Sequence, residues 1–531
     1  MQATAGVLPQ DRFAVRRRSR LRARKPGGWI ISAMKQTEDS RAQRLRMKIE
    51  ALTQRFLSGR EPAFLVRHTR ALDNYFCQTY EDSMVGPRLG IEKNPFAVIA
   101  LGGYGREEQC VHSDVDLLFL FGKSVPGEAE KLIREIAYPL WDIGLDVGYA
   151  TRSLRECLAL AAEDFEILTP MLDARFVCGM SRLYSELMDK LHAGVIKRRS
   201  RKIIEWLVES NRLRHRRFGD SAYLLEPNLK EGQGGLRDYH TMLWIGRIEL
   251  HMRYRRDLEY DGWMSHEEFA ALENALSFIW NVRNHLHALC GRKCDQLHFE
   301  NQLKLADTFR FQTSNGQQPV EKFLGELHAQ MEFLKQQHLI FLFEHGLEKK
   351  RRRKRTSRKN SPVAGLEVIK GGFLNFSGPE ALLKAPPLLM RIFEESARLK
   401  IPLGAEAKRL VKEFAYLIDE RLRNDSTVLK SFEKILISPA PTFNVLNEML
   451  QTGLLLRFIP EFQPIVNRIQ YDAYHLYPVD KHSLRTVRTL KRFGAAPAAE
   501  AEPLCHQIYR ELKHRKLLLW AALLHDIGKG R

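Results

Sequence analysis

The stretch "LGGYGREEQCVHSDVDLLFLF", residues 101–121, joins a glycine-rich turn to two aspartates that alternate into a run of apolar residues. Burying an unpaired carboxylate is costly, so Asp114 and Asp116 need a cation or solvent if they are to stay charged. In a strand, residues two apart share a face and lie about 6 to 7 Å from each other. The two carboxylates therefore project together, on a surface beside the turn that precedes them. Such a pair suits Mg²⁺, which takes hard oxygen ligands and completes its shell with phosphate oxygens and water. Gly102, Gly103 and Gly105 allow close approach of the backbone to a phosphate, and amides opening a helical segment supply donors, with Arg106 directly after them. For the glycine pair alone, an ordinary turn followed by an edge strand with its acids in water is the plainer reading. The full constellation, with eleven residues from Gly103 to Asp114, describes a metal-bound nucleoside triphosphate.

Working outward, "FAVIAL" (96–101) reads as a buried strand, "GGYG" as a turn, "REEQ" as a short helical segment and "DVDLLFLF" as a second strand. Helical spacing follows in "EAEKLIREIAYPLWDIG", which leaves Asp142 as a helix-end residue, and "LDVGYA" (145–150) reads as a third strand. Residues 40–80 are helical in pattern. So is almost everything from Ser153 to Glu348, apart from the loop "LLEPNLKEGQGGLRD" at 224–238, and a last helical region runs from about residue 375.

Composition sets bounds. At 531 residues and 44% apolar content the chain can bury more than one core. The excess of 84 Lys and Arg over 64 Asp and Glu suggests a polyanionic partner, but two runs carry most of it. "RFAVRRRSRLRARK" (12–25) holds eight basic residues and "KKRRRKRTSRK" (349–359) nine, leaving the remainder nearly balanced. The second run reads as a solvated linker. Seven scattered cysteines without a CxxC pair fit reduced thiols in a cytosolic protein, and Cys290 and Cys294 lack the second pair a zinc site would need. No apolar run reaches 18 residues, so no membrane span is expected. Residues 1–33 are Arg-rich and acid-poor, as an organelle transit peptide would be. The favoured reading is an early start, with Met34 opening the protein.

The strand, turn and D-x-D pattern resembles the DNA polymerase β-type nucleotidyltransferase superfamily. That resemblance implies a third acid on a later strand, for which Asp146 in "GLDVGYA" is the match, and a two-metal site. One metal would lower the pKa of an acceptor hydroxyl; the other would neutralise the triphosphate and departing pyrophosphate.

"EPNLKEGQGGLRD" (226–238) places Lys230 and Arg237 beside three glycines, groups expected near phosphate. Taken alone it could be a solvent loop capping a helix at Asp238. The loop resembles that of the bacterial PII uridylyltransferase/uridylyl-removing enzymes, with Gln233 where proline is expected. "WDIGLDVGYATRSLREC", "LTPMLDARFVCG", "VRNHLHALCGRKCDQLHFENQ" and "IPEFQPIVNRIQYDAYHLYPVDKHSL" extend the resemblance in the right order. It implies transfer of UMP from UTP to a tyrosine of the PII signalling protein, in a cytoplasmic enzyme for which glutamine is the family's effector.

Farther on, "VDKHSL" offers His482 on a helix start, and "LLHDIGKG" offers His525 and Asp526. Two imidazoles and a carboxylate suit a divalent metal that activates water. These segments resemble the front half of an HD-type phosphohydrolase domain, with Mg²⁺ or Mn²⁺ expected there; His475 reads instead as a hydrogen-bonded core histidine. Arg531 follows Asp526 by five residues. Against the family pattern, a later aspartate ligand and the two glutamine-binding ACT domains are therefore expected to be missing, with the hydrolase impaired.

The fold class expected is thus an α/β polymerase β-like nucleotidyltransferase domain followed by mostly α-helical regions, including a partial HD-type domain. The segments expected are a basic extension (1–33), a helical segment (34–90), the nucleotidyltransferase core (91–180), a helical associated region (181–348), a basic linker (349–370) and a helical region with the HD residues (371–531). Rival readings are a CCA- or poly(A)-adding RNA nucleotidyltransferase and a non-catalytic nucleotide-binding regulator. No basic surface interleaved with aromatics supports nucleic acid as partner, and intact Asp114 and Asp116 oppose the regulator.

Overall fold

The computed structural model describes residues 31–83, 94–218, 224–314, 316–345, 347, 363–369, 372–438, 444–471, 477–495 and 500–530. Most of the Arg-rich extension, the basic run 349–359 and His475 lie outside them. The chain divides into two compact units, the first formed by residues up to 218 with 229–231 and 236–296, the second by 219–228, 232–235 and 297–531. The division near residue 296 falls inside the segment 181–348.

The first unit is built on a four-stranded sheet in the order β3-β2-β1-β4, with β1 Phe96–Ala100, β2 Val115–Phe121, β3 Val147–Ser153 and β4 Arg175–Gly179. β1 is antiparallel to β2 and β4, while β2 and β3 run parallel. Phe96, Val98, Leu117, Phe119 and Phe121 share one core with Leu72 and Phe76 of the helix Phe64–Glu81 and with Leu132, Ile136 and Leu140 of the helix Ala129–Asp142. Ile99, Leu118 and Leu120 are buried as well. Because both faces of the sheet are covered, β1 and β2 read as continuous apolar runs rather than alternating ones. Asp142 ends its helix.

Three expectations from periodicity differ from the structure. Gly102–Gly105 is itself a single helical turn, and "REEQ" is not helical. Glu107 has φ 60°, which ends the turn, and Arg106 and Glu108 face inward to buried ion pairs. β4, five residues long, lies inside the stretch read as helical. In the second unit, a hairpin of β5 Leu366–Ile369 and β6 Phe373–Phe376 precedes the last helices, where periodicity gave only linker and helix. Its turn passes through Gly372 at φ 87°.

The second unit is otherwise helical. Phe393, Phe432, Met449, Leu454 and Phe462 form its core together with Leu484 and Val487 of the helix Val479–Phe493 and Leu519 and Leu523 of the helix Arg515–Leu524. Packing of those two helices through this core fixes where His482 and His525 stand.

Candidate active site and metal centre

The glycine turn is tied to the acidic strand by the amide of Leu101, which donates to the carbonyl of Asp116 at 2.9 Å. Gly102 has φ 53°, and a Cβ there would lie 3.5 Å from Asp116 Oδ2. On the other side, Gly148 is the parallel partner of Asp116 on β3, and a Cβ at Gly148 would lie 3.0 Å from Asp116 Oδ1. Two positions without side chains thus leave room for this carboxylate. The Asp146 carbonyl accepts from the Val115 amide at 2.8 Å. Asp114 and Asp146 stand one residue before β2 and β3, near enough to Asp116 for their charges to act on it.

The electrostatics of this cluster follow from its packing. Burial pushes Asp116 up to about 6, the charges of Asp114 and Asp146 add to the rise, and Lys230 and Lys293 oppose it. Asp114 is ion-paired with Lys293, which follows the left-handed Gly291 at the end of the helix His266–Cys290. Gln109 holds the approach to the strand by donating from its side-chain amide to the carbonyls of Ser113 (3.0 Å) and Asp114 (3.2 Å).

Asp114 and Asp116 line a cavity of about 450 Å³, together with Gly102, Gly103, Lys230, Arg237 and Lys293. Its apolar walls include Ile167 and Pro170 of the helix Phe165–Leu172, Trp206 of the helix Lys197–Phe218 and Trp244 of the helix Leu236–Glu249. Burial draws Lys230 down to about 8, with Arg237 and Arg283 adding to the fall and Glu231 and Asp295 resisting it. Arg237 pairs with Glu231 at 3.1 Å and lies over the Trp244 ring, 5.4 Å from its centroid.

Two residues of the expected phosphate-binding set are committed elsewhere. The Arg106 guanidinium lines the cavity but pairs with Glu108 at 2.7 Å and with Asp173. Asp173 also accepts from Trp244 Nε1 at 2.9 Å and from Arg247. Against the pull of burial, Arg106 and His240 hold Glu108 well below the usual carboxylate range. Arg106 thus braces the cavity floor. Gly105 is needed for packing: a Cβ there would lie 2.1 Å from the Asp173 carbonyl oxygen. The amides of Gly105 and Arg106 are spent on Leu101 and Gly102 within the turn. Asp238, instead of capping a helix toward solvent, is buried and accepts from Arg214 at 2.5 Å and from His215 at 2.8 Å.

Sequence reading missed Lys293, Trp206 and Trp244. A lysine in the Gly-Arg-Lys turn that closes a long helix was the available signal for Lys293. The tryptophans lie on helices whose apolar periodicity reads as ordinary core.

In the second unit, His482, His525 and Asp526 each offer a ligand atom within 4.8 Å of the others; among the described residues no other His, Cys, Asp and Glu cluster is as tight. The imidazole centroids of His482 and His525 are 5.3 Å apart. His525 Nδ1 donates to the Ala522 carbonyl at 2.9 Å, leaving Nε2 toward Asp526 at 3.3 Å. This ties the tautomer and ring direction to the helix end, as ligating histidines require. Lys529 donates to Asp526 and to Gln470, both at 3.0 Å. The donor set suits a divalent ion.

Comparison with known proteins covers both sites. The model for GlnD PII-uridylyltransferase matches residues 202–342, that for the uridylyltransferase GlnD third domain 368–458, the HD domain 479–531 and the nucleotidyltransferase model DUF294 48–152. The bifunctional uridylyltransferase/uridylyl-removing enzyme of Ruegeria pomeroyi is 36% identical over 444 residues, 82% of this chain and 48% of the relative. That of Novosphingobium aromaticivorans is 34% identical over 438 residues, 82% and 48%, and that of Methylococcus capsulatus 32% over 492, 92% and 55%. The chain spans about half the length of the curated relatives it matches. No helix among the described residues is long and apolar enough to cross a membrane. With the paired aspartates in the segment matched by the nucleotidyltransferase model and the His-His-Asp trio in the segment matched by the HD domain, the chain is similar over most of its length to the GlnD uridylyltransferases.

Proposed function

We propose that the chain transfers UMP from UTP to the PII signalling protein, on a tyrosine hydroxyl, with release of pyrophosphate. The observation that carries this reading is the meeting in one cavity of Asp114 and Asp116 with Lys230, Arg237 and Lys293. Carboxylates alone would repel a triphosphate, and Lys230 and Lys293 only partly offset the burial and the acidic neighbours that raise Asp116. A divalent cation held by the carboxylates would meet both needs, and Asp116, raised by burial and by its acidic neighbours, has the surroundings of a ligand to one. Asp114 and Asp116, with Asp146 near them, would hold Mg²⁺, which would supply Lewis-acid neutralisation of charge on the transferring phosphoryl group.

The chain's own residues do the rest. Lys230 and Lys293 orient the phosphates as point charges, and Arg237 offers a planar fork held against Trp244. Ile167, Pro170 and Trp206 exclude water from the nucleotide. The acceptor hydroxyl gives up its proton to solvent as its oxygen forms the new bond to the α-phosphorus, and the bond from that phosphorus to the bridging oxygen breaks, so that oxygen leaves with pyrophosphate. Incubation with labelled UTP or ATP, Mg²⁺ and either PII protein or tRNA tests the reading. Label on PII from UTP is expected; label on tRNA from ATP would overturn it in favour of an RNA nucleotidyltransferase, and label on neither would leave only a regulator. Asp114→Asn and Asp116→Asn should each lower transfer by about a hundredfold or more, since losing a metal ligand costs more than losing its support.

For the second site, the reading is hydrolysis of the UMP–tyrosine phosphodiester. His482, His525 and Asp526 would hold a divalent ion, which would supply an activated water there. The Ala522 carbonyl and Lys529 fix the directions of His525 and Asp526.

A further inference from the structure

The second unit carries a groove distinct from its His-His-Asp trio. It is walled by the C-terminal half of the helix Val479–Phe493, the helix Pro503–Glu511 and the start of the helix Arg515–Leu524. Its volume is about 1010 Å³, and its lining holds eight lysines and arginines against one acid, Glu511. His482 and Lys491 share a helix but stand nine residues apart, about 13 Å along its axis. The groove is therefore built on the end of the helix that the trio does not use.

Charge balance is the informative feature. Arg492 pairs with Glu502 at 3.4 Å and Lys516 with Glu433 at 2.9 Å. Among the described residues, no carboxylate pairs with Arg485, Lys491, Arg510, Lys513 or Arg515. Several of these cations are nonetheless fixed in place. Arg485 lies over the Tyr477 ring at 4.1 Å, and Arg515 donates to the carbonyls of Arg510 (2.9 Å) and Leu512 (3.2 Å) while lying 5.8 Å from the Tyr509 centroid. Lys491 is half-buried and donates to the Ile435 carbonyl at 2.8 Å. Burial alone draws its ammonium down to about 8, with no acid raising it. A surface of merely solvated cations spreads them and pairs them with nearby acids; here they converge on a concavity.

We propose that this groove binds a small anion bearing two or more phosphate groups. Guanidinium forks grip phosphate oxygens two at a time, and a lysine at the floor adds a point charge. Recognition is through phosphates rather than a base, because Tyr509 is buried and covered by Arg515 instead of standing open as a stacking platform. The same feature disfavours single-stranded RNA, whose binding grooves present aromatic faces to successive bases. A volume near 1000 Å³ is at the upper end for small-ligand pockets, which leaves room for a nucleotide behind its phosphates.

The test is titration calorimetry on the full chain with sodium tripolyphosphate, in EDTA and at fixed ionic strength. Four proteins are compared: the unaltered chain, Lys491→Met, Arg510→Gln with Lys513→Gln, and a charge-matched control, Lys131→Gln with Arg134→Gln. Residues 131 and 134 are exposed and lie in the first unit. Both groove variants should weaken binding by about tenfold or more, the scale of lost hydrogen bonds to a charged group, while the control binds like the unaltered chain. Arg510 and Lys513 are exposed, so the double variant keeps the test valid if Lys491→Met fails to fold. Equal weakening in the control, or none in the groove variants, overturns the proposal. ATP binding as tightly as tripolyphosphate identifies a nucleotide's phosphate tail as sufficient, and tripolyphosphate alone binding identifies a free oligophosphate. A 20-nucleotide RNA that binds the groove more tightly than either would overturn the small-anion assignment.

Discussion

At Asp116 the room for a carboxylate is set by two missing side chains. Gly148→Ala would place a methyl group 3.0 Å from Oδ1, displacing the carboxylate from the position where it shares a face with Asp114. Transfer should fall by about tenfold or more, as when a metal ligand loses its support, with stability little changed; this is checked by Mg²⁺ dependence of the rate alongside a thermal melt. Near-normal Mg²⁺ affinity would remove Asp116 from the ligand set. Lys230 supplies a pH dependence. Its ammonium is drawn down to about 8, by burial first, so it is charged below that pH and neutral above it. Affinity for UTP should therefore decline as pH rises through about 8, seen as a rising KM with kcat less affected. Lys230→Arg, which stays charged, should flatten that alkaline limb; an unchanged limb would assign it to another group.

At the scale of elements, the strands that carry the aspartates were legible because "FAVIAL" and "DVDLLFLF" are buried on both faces, and burial alone makes an apolar run. β4 was not, since five residues between two helical patterns carry too little periodicity to stand out. The glycine turn shows why motif reading needs the packing around it. Gly103 and Gly102 line the cavity, whereas Gly105 meets the carbonyl of Asp173, and nothing in "GGYG" distinguishes these uses. The inward turn of Arg106 depends on Asp173, 67 residues later, a partner that no local window contains. Gly105→Ala should accordingly act on stability first, by about 2 kcal/mol, the scale of overpacking in a filled interior. The new methyl must push back the carbonyl of a residue whose carboxylate gathers Arg106, Trp244 and Arg247. Denaturant unfolding measures this. Lost transfer with unchanged stability would instead return Gly105 to the phosphate-binding set.

At the scale of the whole molecule, the two candidate sites draw on residues from different compact units. Asp114, Asp116, Asp146, Lys230 and Arg237 all fall in the first, and His482, His525 and Asp526 in the second. The trio was legible as a set because each ligand sits in a short motif, although 43 residues separate His482 from His525; their approach depends on the packing of Leu484 and Val487 with Leu519 and Leu523, which sequence order does not reveal. Sites with no shared residues should respond additively to substitution. In an Asp114→Asn, Asp116→Asn background, which is expected to lack transfer, Mn²⁺ should still bind at the trio, and adding His525→Ala should weaken that binding by about ten- to a hundredfold. His525→Ala alone should leave transfer within about twofold of the unaltered chain, because no group of the transfer cavity depends on it. Electron paramagnetic resonance of bound Mn²⁺ and a PII-labelling assay read the two sites separately. Loss of labelling in His525→Ala would mean that the trio takes part in transfer, and Mn²⁺ binding unaffected by His525→Ala would place the ion elsewhere.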